Sequence, residues 1–589
     1  MTPSDSHHPG TVFSHPSFSL HAAAVVATVA VTLACSGTPG PSSTSAAPNA
    51  VTTAFVPPAV TDPRLPRTRA ERSNYTETSH YADVVAFIDA LRRIDAPIAV
   101  GTIGVTNEKR SLPYVIASRP LVSTPAAARS SGKPIVYVQG NIHAGEVEGK
   151  EALQALVRDL VFQTRPNVLD SIVLIAVPIY NADGNERFAD QARNRGSQNG
   201  PELVGQRPNA QGLDLNRDYM KVDAPETSSS LAMFNAWNPH VFVDLHTTNG
   251  SYHGYALTYA PPLNPAANIA PAFIAGGYTR DSILPELRQR VRTRRGYETF
   301  DYGNFASQDS VERGWFTYDH RPRFGTNYYG LRGRVGVLSE AYSHDPFPRR
   351  VASTYAFVSE LLSLIAERGS RVRAIAAGAD SAVVAWGTRG AGPDIPIRAS
   401  LTTTPHSGDV IVEDLVATGD TTRTEPGVRR GMRRTGTYRR VRMPIYDRFA
   451  PTLTTTPSWG FALSATDSSA IRILGLHGVV LQRVTTPCAL TGEAFAADTV
   501  IVSPTAFQGR REVRVNGRWQ RADTRLERGT YVVALAQPLG VVTTYLLDPR
   551  SDDGLVAWNV GNRVASGRLD LAPTRLVSPL PAACGLGPA

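Results

Sequence analysis

Lysine is nearly missing from this 589-residue chain: four of its 60 basic side chains are lysine and the rest are arginine. The net charge is +9, yet the arginines are scattered, with no long basic block and no basic–aromatic alternation. That pattern argues for coding bias and against a nucleic-acid partner. Cysteine is as scarce. Cys35, Cys488 and Cys584 are the three present, and no pair has zinc-ribbon or CxxC spacing, which argues against a cysteine metal site. Long apolar runs are also lacking. The one that stands out, Ala22–Ala34, has 13 residues, too few to cross a ~30 Å hydrocarbon core, so a multi-span membrane protein is excluded. With 42% hydrophobic and 19% charged residues the composition is globular, which excludes wholesale disorder and a collagen-like fibre. At ~100–200 residues per domain, the length suggests two to four domains.

The 13-residue run has the length of a secretory signal core. Leu33-Ala34-Cys35 then resembles a bacterial lipoprotein cleavage site, which implies a lipid anchor on Cys35 as the one route to a membrane. Thr32 stands where that signal usually carries Leu, and no Lys or Arg precedes the run. The expectation is a signal peptide over 1–35, a flexible Ser/Pro/Thr/Ala-rich linker over 36–74, and export to the periplasm or beyond. In an oxidising compartment Cys488 and Cys584 are free to pair; two buried thiols are the alternative.

From Ser79 onward strands alternate with helices. HYADVVAFIDALRRI has helical spacing, and two strands follow about an Asn-Glu-Lys turn. Strands are expected at 134–140, 172–179, 241–245 and 335–338, and helices at 146–162, 226–237, 283–292 and 351–366. This predicts an α/β domain over 75–375, with a mixed, largely parallel sheet flanked by helices. From about Ala382 short β-branched runs dominate, predicting a β-rich accessory region over 385–589, with a short α/β insert near SSAIRILGLHGVVLQRV.

Three polar clusters fall at the carboxyl ends of expected strands, where open α/β sheets place ligands. His143 and Glu146 leave the first of these strands, His246 ends the second and Glu340 the third. A His and a carboxylate suit zinc. Each cluster alone has a plain structural reading: a helix-capping Glu beside a surface His, a buried His, a Glu paired with one of many arginines. Between them lie Asn181-Ala182-Asp183-Gly184 and Gly212-Leu213-Asp214-Leu215-Asn216-Arg217.

In this order the motifs over residues 75–370 resemble the zinc carboxypeptidase family (the carboxypeptidase A/B-like metallopeptidases). The resemblance implies one Zn2+ per chain on His143, Glu146 and His246, with Glu340 as general base. Asp214 would orient the first histidine. Asn216 and Arg217 would grip the terminal carboxylate of a peptide substrate. An arginine that stabilises the oxyanion is implied at Arg193, with Arg195 competing, and a substrate-facing tyrosine at Tyr318, with Tyr328 and Tyr329 nearby. Gly145 stands where many members have Arg. The implied activity is removal of C-terminal residues; an amidase on cell-wall peptides or acylamino acids is the runner-up, and a non-catalytic binding scaffold comes third.

Overall fold

A computed structural model describes residues 54–589 apart from 165, 403, 404, 421–427 and 429. The expected signal peptide and most of the linker lie outside these residues. Among the described residues no helix is long and apolar enough to cross a membrane.

An eight-stranded sheet organises the first half. Its strands are β1 (Ile98–Val105), β2 (Ser111–Ala117), β3 (Ile135–Gly140), β4 (Val173–Val177), β5 (Val241–Thr247), β6 (Leu257–Ala260), β7 (Thr299–Asp301) and β8 (Val335–Ala341). The spatial order is β1-β2-β4-β3-β5-β8-β6-β7. The central four, β4-β3-β5-β8, are parallel. They are also buried along their whole length, as strands covered on both faces must be. Their apolar runs are therefore continuous rather than alternating. Helices α1 (Tyr81–Arg93), α2 (Glu148–Phe162), α3 (Pro225–Trp237), α4 (Leu284–Arg295) and α5 (Phe347–Glu367) accompany the sheet. The mixed, largely parallel α/β architecture is as expected.

The differences lie at boundaries and beyond the sheet. Packed structure begins well before the expected end of the linker. Phe55 donates its N–H to the Arg295 carbonyl at 2.9 Å and stacks on Tyr355, and Thr68 and Glu71 form a capping box for a short helix at Arg69–Arg72. A 21-residue helix, α6 (Gly369–Arg389), runs through the point where β texture was expected to start. Its Ala- and Gly-rich sequence carries no strong apolar stripe, so periodicity does not announce it. The following region is β-rich, with hairpins β9 (His406–Ala417)–β10 (Met432–Tyr446) and β11 (Cys488–Phe507)–β12 (Arg510–Leu526). The expected insert is helix α7 (Ser468–His477). The region is no appendage: Phe461, Val533, Tyr545 and Trp558 belong to the same buried core as Ile135 and Phe242. Cys488 and Cys584 form a disulfide with Cα atoms 5.1 Å apart.

Candidate active site

Parallel register brings the site together. On β5 and β3, Asp244 faces Gln139; on β8 and β5, Glu340 faces His246. Strands that end side by side present their terminal side chains to one crevice. The chain leaves β3 through Asn141 in the left-handed region (φ 66°). The Asn141 amide donates to the Ala144 carbonyl at 3.1 Å, fixing the turn. α2 starts at Glu148, two residues later than expected, so His143 and Glu146 both sit in the turn rather than on the helix. Glu146 does not cap that helix; its carboxylate points at the two histidines.

His143 Nδ1 lies 3.1 Å from Glu146 Oε1, and His246 Nδ1 lies 3.0 Å from Glu146 Oε2. The two Nδ1 atoms are 3.2 Å apart. The outer nitrogens face carboxylates: His143 Nε2 is 3.0 Å from Asp214 Oδ1, and His246 Nε2 is 3.0 Å from Asp244 Oδ2. Behind His143 the Asp214 carboxylate takes Nε2 as an N–H donor and leaves Nδ1 as a lone pair. Two imidazole nitrogens and a carboxylate close on one point, all within 4.8 Å of one another. Such a set asks for a cation, and two imidazoles with a carboxylate suit zinc. The charges act on protons in the same sense. Burial opposes the charged form of His246, but Asp244 and Glu146 outweigh it and hold its pKa well above the ordinary value. Burial also opposes charge on Glu146, and His143 and Arg195 outweigh it, holding this carboxyl well below its usual range.

Glu340 is 8% exposed and its Oε2 has no hydrogen-bond partner. Burial, with Glu146 adding to it against the pull of His246, pushes its pKa up to about 8. An unpartnered, near-neutral carboxyl beside the cluster is equipped to exchange a proton.

The two candidate arginines are placed differently. Arg193 is exposed on a short helix, whereas Arg195 is buried. The Arg195 guanidinium donates to Glu146 Oε1 at 3.1 Å, to Asn249 Oδ1 at 3.0 Å and to the Thr247 and Thr248 carbonyls at 3.2 and 3.1 Å. Gly145 explains the room it has: a β carbon there would sit 2.6 Å from Arg195 Cγ and 2.7 Å from the Gly205 carbonyl oxygen. An arginine from another segment thus fills the space beside Glu146. Arg207, which the sequence did not mark, lies 2.9 Å from Asp214 and 3.5 Å from Glu146.

Asn216 and Arg217 sit on the rim of the cluster. Asn216 Nδ2 is 3.4 Å from His246 Nε2, and its Oδ1 accepts the Gly325 N–H at 2.9 Å. The Arg217 guanidinium stacks 4.0 Å above Phe324. Among the tyrosines, Tyr328 and Tyr329 are fully buried; Tyr328 Oη reaches His477 and Tyr329 stacks on Phe234. Tyr318 is partly exposed and close enough to Glu340 that the carboxylate, after burial itself, pushes its phenol up. Tyr302 packs edge-on against it.

The family model of the zinc carboxypeptidases matches residues 84–262, a stretch holding both histidines and Glu146. Relatives of this domain include a probable carboxypeptidase 2 from Arthroderma benhamiae, 29% identical over 145 residues, 24% of each chain. Carboxypeptidase 2 from Trichophyton rubrum is 28% identical over 165 residues, 27% of each chain. The chain thus spans about a quarter of the length of the curated relatives it matches. A metallo-carboxypeptidase from Burkholderia cenocepacia of known structure covers 49% of this chain and 69% of its own at 18% identity, with a TM-score of 0.36. The matched stretch stops short of Glu340, which lies on β8.

Proposed function

We propose that this chain is an exported zinc metallocarboxypeptidase that hydrolyses C-terminal peptide bonds. One observation carries the reading: His143, His246 and Glu146 converge on a single point with an unpartnered Glu340 on the neighbouring strand. These three would hold zinc, which when bound polarises a carbonyl and makes water more acidic.

The remaining work belongs to the side chains. Asp214 keeps the His143 ring in the tautomer that turns Nδ1 inward, and the negative charge of Asp244 backs His246. Glu340 takes a proton from water on its carboxylate and passes it to the leaving nitrogen; a carboxyl poised near neutrality does both. Arg217, with Asn216 beside it, binds the substrate's terminal carboxylate, for which a guanidinium fork is suited. Arg195 is the arginine closest to Glu146, 3.1 Å away, and stabilises charge developing on the carbonyl oxygen. Tyr318 closes the crevice on the Glu340 side. The Cys488–Cys584 disulfide supports an oxidising compartment and hence export. A lipid anchor on Cys35 is proposed from the sequence alone.

The test compares wild type with Glu340→Gln on peptides with free and amidated C-termini, with metal content measured in parallel. The expected result is cleavage of free-carboxylate peptides by wild type only, at equal zinc content. Retained activity in the variant would refute the assigned base. Equal cleavage of amidated peptides would favour the amidase reading.

A further inference from the structure

The second half of the chain meets the turn that carries Asn216 and Arg217 through a hairpin. Hairpin β11–β12 projects from the C-terminal sheet and turns at Gln508-Gly509, closed by the Phe507–Arg510 pair. At the turn the Gln508 side-chain oxygen accepts the backbone N–H of Asp214 at 2.8 Å, across 294 positions of sequence. Behind the tip, Arg510 forms a bidentate pair with Asp223 at 2.7 and 2.8 Å, and Glu512 accepts from Arg323 at 2.7 Å.

Asp214 is otherwise fully engaged. Oδ1 faces His143 and also accepts the Asn216 N–H at 2.9 Å, while Oδ2 accepts from Arg207. Its own N–H is the atom by which the turn carrying Asn216 and Arg217 is held from outside. The far side of that turn is tied to Gly325, Phe324 and the Arg323 carbonyl. Arg323 in turn is gripped by buried Asp553, at 2.8 Å through Nε.

The turn chemistry is a second, independent observation. Gln508 and Gly509 both have positive φ, 51° and 75°. Two-residue hairpin loops of this kind favour Asn, Asp or Gly in the first position, because a longer side chain gains nothing there and a β carbon is disfavoured. Gln508 breaks that rule. Asn would suit the backbone better but is one methylene shorter, so its amide would fall short of Asp214. Backbone strain kept at such a position is a mark of function.

We propose that Gln508 is a positioning residue for the carboxylate-binding turn, so that the C-terminal region completes the substrate site of the domain that precedes it. The proposal rests on the carboxypeptidase reading. Gln508 touches neither the metal point nor the reacting bond; it sets the register of Asn216 and Arg217.

The experiment uses the full-length zinc-loaded enzyme with Gln508→Met, which keeps length but loses the acceptor, and Gln508→Asn, which suits the turn but loses reach. Both are expected to raise KM for free-carboxylate peptides about five-fold, the size of one hydrogen bond, with kcat within about two-fold and zinc content unchanged. Hydrogen–deuterium exchange should speed up in the peptide covering residues 212–217 in both, while Gln508→Asn keeps or raises the melting temperature. Wild-type KM and wild-type exchange in Gln508→Met would overturn the proposal. A fall in melting temperature that tracks the KM change in both variants would overturn it too, by making the role merely structural. An inactive zinc-loaded wild type would overturn the functional reading and this proposal together, whereas an active wild type beside unchanged variants overturns the proposal alone.

Discussion

Gly145 and Arg195 show how a single missing side chain assigns a role elsewhere. A β carbon at 145 would collide with Arg195 Cγ and with a backbone oxygen that has no freedom to yield. Gly145→Ala is therefore expected to dislodge Arg195 from Glu146 and to lower kcat/KM, with peptide hydrolysis as the measurement. Arg195→Ala should lower kcat by about 10²–10³-fold, the usual cost of one oxyanion donor, while Arg193→Ala, on the exposed helix, should leave it unchanged. Equal losses in the two variants would restore Arg193 as the candidate. Asp244 belongs to this scale as well. It stands two residues before His246 on β5, so both side chains share a face. That spacing was readable, but a carboxylate next to a histidine acquires its meaning only when the ring's other nitrogen is seen to point at Glu146.

Among the elements, the central strands were the most legible. Runs such as PIVYVQG and VFVDL are apolar because both faces are covered, and their polar ends mark the crevice. Helix limits were less so: α2 begins after the site turn, since Glu146 is drawn to the histidines instead of to its own helix. α7 was visible as an insert, but its last residue has an unforeseen duty. His477 is fully buried, with Nδ1 2.7 Å from Tyr328 Oη and Nε2 3.1 Å from the Met220 carbonyl oxygen. That arrangement satisfies the neutral ring. Burial, against the pull of the Met220 carbonyl, depresses its pKa from 6.5 to about 4. The unfolded state binds this proton more readily than the folded one, so the stability this group confers is intact above pH ~6.5 and is lost as the pH falls towards 4. The loss should reach roughly 3 kcal/mol. Denaturant unfolding between pH 7 and 4 should show the decline, and His477→Gln should flatten it.

On the scale of the whole molecule, the two halves share one core, and cooperative unfolding in a single transition is expected. Differential scanning calorimetry checks it; two resolved transitions would contradict it. The disulfide ties the base of hairpin β11–β12 to the C-terminal segment over 96 positions. Reduction should lower the melting temperature, by the order of 2–4 kcal/mol of stability. Added zinc should raise it, because a cation binds the folded donor set and not the dispersed one; a chelator should reverse the shift.

Apolar runs and their spacing along the chain were enough to reveal the α/β sheet and where its strands end. The set His143, Glu146, His246 and Glu340 was implied by the resemblance of the motif order to a known family, and the fold gathers the first three at one point. The sequence did not decide between Arg193 and Arg195, or among Tyr318, Tyr328 and Tyr329, and it did not reveal that Gln508 meets Asp214. Those depend on which side chains face inward once distant segments pack. The sequence records neighbours along the chain, whereas burial and contact across 294 positions are set by the fold as a whole.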